Sequence, residues 1–87
     1  MTRADAIELA REAAPHAAAY PEVTVAEPGP FGQLEGFDRM LDDEPPADRW
    51  VWQITLCEGC GPLSGRSTTV ILDYLDGRIY GVIDMIG

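Results

Sequence analysis

The 87-residue chain is predicted to be α+β: one N-terminal helix packed on a small antiparallel sheet, made of a three-stranded C-terminal meander plus one short N-terminal strand. Three observations predict this. Residues 3–14 repeat apolar side chains with the period of a helix. Residues 50–57 alternate with strict period two, Trp50, Trp52, Ile54 and Leu56 against Val51, Gln53, Thr55 and Cys57. Residues 68–74 and 78–85 are rich in Val, Ile, Thr and Tyr and are separated by an Asp-Gly turn signal. A chain this short forms a single domain, 1–87, with a modest core.

Thr2 is placed to cap the helix, with Asp5 three residues on in a capping-box arrangement. Ala6, Ile7, Leu9, Ala10, Ala13 and Ala14 form the apolar stripe, while Arg3, Glu8, Arg11 and Glu12 fall on the polar side. Glu8 and Glu12 are like charges four apart, with Arg11 expected to moderate them. Pro15 ends the helix. The stripe is narrow and Ala-rich, which lets the helix lie close to a sheet.

Val23 and Val25 alternate with Glu22, Thr24 and Glu27, a short strand with one wet face. Residues 28–48 hold four prolines and three glycines and read as a long acidic loop. Within it Phe37, Met40 and Leu41 are spaced as one helical turn that docks on the core. Asp42, Asp43 and Glu44 form a solvated charge run, because the spaced oxygen ligands of a calcium loop are missing. Trp50 and Trp52 share a strand face and are expected to cover the helix. The final turn has two readings. A two-residue Asp76-Gly77 loop pairs Tyr74 with Ile79, and a three-residue Leu75-Asp76-Gly77 loop pairs Tyr74 with Arg78.

In either register both sheet faces carry aliphatic residues, with Val70, Leu72 and Val82 set against Ile71, Ile79 and Ile83. One face packs on the helix. The other offers a partner or homodimer surface, for which Ile71, Tyr80 and Val82 are the candidate residues. Alternatively Phe31, Phe37, Met40 and Leu41 fold over it and the protein stays monomeric.

The net charge is -9, with six arginines and no lysine. That excludes nucleic acid and disfavours an anionic membrane, since both need clustered cations. It favours a basic protein or peptide partner. No stretch has the length of a membrane-spanning helix and the N-terminus has no signal-peptide run, so the expected location is cytoplasmic.

The sharpest chemical signal is Cys57-Glu58-Gly59-Cys60-Gly61. Cys57 and Cys60 read as a zinc half-site, a redox pair, or turn thiols with no activity. Zinc needs four ligands, so either the single histidine, His16, with a carboxylate or a second Cys pair from another copy of the chain would have to complete the set. Gly59, Gly61 and Pro62 argue against the following helix that a thioredoxin-like pair uses. His16 reads as a surface residue, and one histidine supports no Ser/His/Asp arrangement. No enzyme activity is expected. No cofactor is expected on the binding reading, and zinc on the thiol reading.

Three stretches resemble the PepSY domain family. Asp5-Ala6-Ile7-Glu8-Leu9-Ala10-Arg11 is similar to its opening helix, Trp50-Val51-Trp52-Gln53-Ile54 to its central strand, and Val70 through Ile79 to its closing hairpin. The element order is also similar to that of the YrhB-like group of small bacterial immunity proteins. The PepSY resemblance implies a non-catalytic module that binds or inhibits. It carries no functional residues over, because the matching motifs are structural.

Overall fold

The structure is a computed structural model that describes residues 1–34, 41, 44–59 and 65–86. Helix α1, Arg3–Ala13, is followed by strands β1 (Glu22–Pro30), β2 (Trp50–Glu58), β3 (Arg66–Asp73) and β4 (Ile79–Ile86). The strands pair in sequence order as an antiparallel meander. One helix on a four-stranded antiparallel sheet is the α+β architecture expected from the sequence.

The helix starts where its chemistry requires. The Thr2 hydroxyl accepts from the Asp5 N–H, and the Asp5 carboxylate accepts from the Thr2 N–H, both at 3.2 Å. These bonds, the backbone one first, hold the Asp5 carboxyl below its ordinary range. Past Ala14, Pro15 opens a 3-10 turn over Pro15–Ala17. Arg11 forms no ion pair with Glu8 or Glu12. Its guanidinium donates instead to the carbonyls of Ala18 and Tyr20, at 2.8 Å each, and so closes the chain's exit from the helix.

Ala6, Ala10, Ala14 and Ala17 are fully buried against Trp52, Ile54, Leu56, Val70 and Leu72. Small side chains bring the helix axis close to β1, β2 and β3. Among the described residues, the Trp52 indole N–H is the buried side-chain donor without an acceptor. Trp50 does not share this role. It sits at the sheet's end, 48% exposed, with its ring edge-on to Tyr74.

Strand β1 is longer than expected and takes up residues 28–30, which the sequence assigns to the loop. Pro28 pairs with Trp52 and Pro30 with Trp50. An edge strand tolerates proline, because one side of it needs no N–H donors. The rest of the connection returns under hydrogen-bond control: the N–H of Phe31 donates to the Arg49 carbonyl and that of Gly32 to the Ala47 carbonyl.

The sheet face away from the helix is covered in part by this connection. Phe31, Leu34 and Leu41 pack with Val51, Ile71 and Tyr80. Leu41 fills the space above Gly81, where a β-carbon would collide with it. Phe31 and Leu41 are two of the four residues that the monomeric alternative places over this face. Phe37 and Met40, with Asp42, Asp43 and Cys60, lie outside the described residues.

Neither expected register of the last turn occurs. The N–H of Asp73 donates to the Arg78 carbonyl and that of Gly77 to the Asp73 carbonyl, so four residues, Tyr74–Gly77, form the loop. Tyr74 leaves β4 altogether: its N–H donates to Trp50, and its ring stacks on Trp52. Gly77 has φ +76°, and a β-carbon there would lie 2.7 Å from the Met1 methyl and 2.8 Å from Leu9 Cδ1. Gly77→Ala is therefore expected to cost about 2 kcal/mol, from the left-handed backbone and displaced side chains together. Urea denaturation checks this, and an unchanged midpoint would show that the turn adopts another conformation.

Candidate functional site

Among the described residues, the densest polar constellation is centred on Asp73, at the end of β3, a buried carboxylate only 1% exposed. Arg49 reaches it bidentately, Nε to Oδ1 at 2.6 Å and the terminal nitrogen to Oδ2 at 2.9 Å. The Tyr80 hydroxyl donates to Oδ1 at 2.9 Å. The N–H groups of Leu75 and Asp76 donate to Oδ2 at 3.0 and 3.2 Å. The Arg49 hydrogen bond, helped by the backbone amides and Tyr80, holds the Asp73 carboxyl well below the usual carboxylate range against its burial. Burial, then the hydrogen bond to Asp73, pushes the Tyr80 phenol up. A carboxylate with both oxygens filled is poorly suited to move protons. This constellation acts as a clamp. It ties the residue before β2 to the β3–β4 turn and so fixes what that turn displays.

The turn displays Leu75, 70% exposed, which forms a wall between two clefts. One, of about 520 Å³, is lined by Pro46, Asp48, Arg49, Trp50 and Tyr74. The other, of about 410 Å³, is lined by Met1, Asp5, Glu8, Leu9 and Glu12 of the helix. The Trp50 and Tyr74 rings meet edge-on with centroids 5.6 Å apart. Exposed Trp50, Leu75 and Met1 thus lie along one end of the molecule, flanked by carboxylates.

Of the residues expected to form a partner surface, Ile71 and Tyr80 meet in one packed cluster and Val82 lies on the opposite face. Ile71 is fully buried beneath Phe31 and Leu41 and is not a surface residue. Tyr80 belongs to the same cluster and is tied to Asp73. Val82 pairs with Val70, so it lies toward the helix side, and is 37% exposed. The alternation of β4 is broken by an irregularity opposite Ile71 and Leu72, which no periodicity argument foresees.

Cys57 is fully buried at the end of β2 and is disulfide-bonded. In that form its sulfur is not a thiolate and does not ligate zinc. Among the described residues, no group of three or more His, Cys, Asp or Glu is placed to hold a metal ion. His16 is half-exposed, as expected, but is not isolated: its Nε2 lies 2.7 Å from Asp84 Oδ1, which also accepts from the Thr68 hydroxyl at 2.6 Å. The Thr68 bond first, then His16, lowers the Asp84 carboxyl.

The sequence signals for the end surface were present but small. Asp73 directly follows the aliphatic run Val70-Ile71-Leu72, four residues before a glycine, the pattern of a side chain that caps its own turn. Nothing local pointed to Arg49 as its partner. No helix of the described residues is long and apolar enough to cross a membrane. Compared with known proteins, the chain matches no family model, no curated protein and no solved structure.

Proposed function

We propose that the protein is a non-enzymatic module that binds a protein or peptide at the end of the sheet built on Trp50 and Leu75. This is the kind of role that the PepSY resemblance implies. The observation that carries the reading is the presentation of Leu75. A large aliphatic side chain is held outward, 70% exposed, on a turn locked by Asp73 and between two clefts. Exposed apolar side chains grouped in this way mark interaction sites more often than scattered ones do. The titratable groups nearby support binding over catalysis, since Asp73 and Arg49 are consumed by each other.

Leu75→Asp tests the reading, because the side chain makes no core contact and the fold should be retained. A partner captured from the source organism by the wild-type chain is expected to be lost on this substitution, with the melting temperature unchanged. Capture that survives both Leu75→Asp and Trp50→Ala would refute the surface.

The disulfide at Cys57 favours a second reading, in which the Cys57–Cys60 motif serves as a redox pair. The zinc half-site needs the reduced chain. A disulfide also sits more easily in an oxidising compartment than in the cytoplasm. Thiol titration and metal analysis of protein purified without reductant separate these readings: a rapidly reducible disulfide supports the redox role, and stoichiometric zinc supports the metal role.

A further inference from the structure

The cleft on the helix side of Leu75 has a chemistry of its own. Its apolar part is made by Met1, Leu9 and Leu75, with the Met1 and Leu9 side chains lying over Gly77. Its polar part is a strip of Asp5, Glu8 and Glu12, spaced three and four apart and therefore on one helix face. These carboxylates differ in how they are engaged. Asp5 is occupied by the capping box at the positive end of the helix. Glu8 and Glu12 form no ion pair among the described residues. Arg11, the cation nearest in sequence, is committed to the carbonyls of Ala18 and Tyr20. The fold thus sets two like charges, without an ion-pair partner among the described residues, beside an apolar groove on a chain whose net charge is -9.

Resting on the binding surface proposed above, the geometry points to a cationic amphipathic segment of a protein partner as the occupant of this groove, with an apolar side chain seated against Leu75, Leu9 and Met1 and Lys or Arg side chains facing Glu8 and Glu12. Charge selects among the occupants. A second copy of the chain brings another -9 to the contact, and a phosphate-bearing ligand meets carboxylates. A purely apolar segment would bury the groove but leave Glu8 and Glu12 without a counter-charge at the rim. A cationic segment satisfies both parts. The second cleft shares Leu75 as its wall, so an apolar residue further along the same segment finds Trp50 and Tyr74.

The test uses the full chain, labelled with ¹⁵N, and three synthetic amphipathic peptides. They share one pattern of leucines and carry Lys, Gln or Glu at the remaining positions. Amide shifts at residues 5–12 and 75–77 are expected with the Lys peptide, weakening with added salt as screening sets in. The double variant Glu8→Gln/Glu12→Gln is expected to weaken that peptide by about fivefold, the order expected for losing two exposed charge pairs. The control Glu22→Gln/Glu27→Gln on β1 should leave it unchanged. Equal loss in the two double variants would mean that only overall charge is sensed, and would overturn the inference. Equal binding of the Gln peptide at the same amides would also overturn it, while the surface itself stood. If no peptide moves these amides, the cationic occupant is excluded, and Leu75→Asp capture decides separately whether the surface binds anything.

Discussion

Asp73→Ala is expected to destabilise the protein by about 3 kcal/mol, the range for removing one partner of a buried, hydrogen-bonded charge pair. In a domain of this size that lowers the melting temperature by roughly 15 °C. The loss is large because one carboxylate serves groups from three places in the chain: the Arg49 guanidinium, the Tyr80 hydroxyl and the amides of Leu75 and Asp76. Each loses an acceptor at once. Asp73→Asn keeps the shape and one acceptor oxygen, so it should fall between the two. Because the folded state holds the Asp73 carboxyl below its ordinary range, ionisation favours folding. That contribution is complete above the unfolded value of about 4 and is lost as the pH falls through it toward the lowered folded value. Urea midpoints at pH 7 and pH 3 are expected to converge between wild type and Asp73→Asn as the pH drops. Asp5 and Asp84 shift in the same direction, so some acid dependence persists in the variant. Equal midpoints at pH 7 would show that the clamp contributes nothing to stability.

The parts of the fold that were legible were those governed by local periodicity. The helix from Arg3 to Ala13, with its Thr2 cap, and the alternation of Trp50 through Leu56 need only neighbours in sequence to be read. The errors came where a distant group decides a local geometry. The last turn has four residues, with Tyr74 stacked on Trp52 and bonded to the Trp50 carbonyl instead of paired in the hairpin. Residues 28–30 became strand because β2 offered pairing partners at an edge where prolines are tolerated. Ile71 looked exposed because β-strand alternation puts it opposite the helix-facing residues, and only the return of Phe31 and Leu41 buries it. The proposed binding end was hidden for a related reason. It combines Met1 and Glu8 with Leu75, residues that the chain holds far apart in sequence and that only the packed helix brings to one cleft.

Ala10→Leu is the sharpest probe of that packing, and is expected to cost about 3 kcal/mol, toward the upper end for enlarging a well-packed core residue. Ala10 is fully buried in the seam between the helix and Trp52, Ile54, Leu56, Val70 and Leu72. A seam packed like a crystal has no room for three more carbons. Either the new side chain takes a strained conformation or the helix lifts, which would open the contacts of Ala6, Ala14 and Ala17 as well. Local helicity is not at issue, because leucine is nearly as good a helix former as alanine. Ala4→Leu supplies the control: the same substitution on an exposed position of the same helix should change stability by less than about 0.5 kcal/mol. A lifted helix would also move Glu8, Leu9 and Glu12 away from Leu75. Ala10→Leu should therefore weaken the proposed peptide binding even at temperatures where it remains folded, whereas Ala4→Leu should not. If the two variants prove equally stable in urea, the helix does not sit close against the sheet, and the cleft formed between it and the β3–β4 turn loses its structural basis.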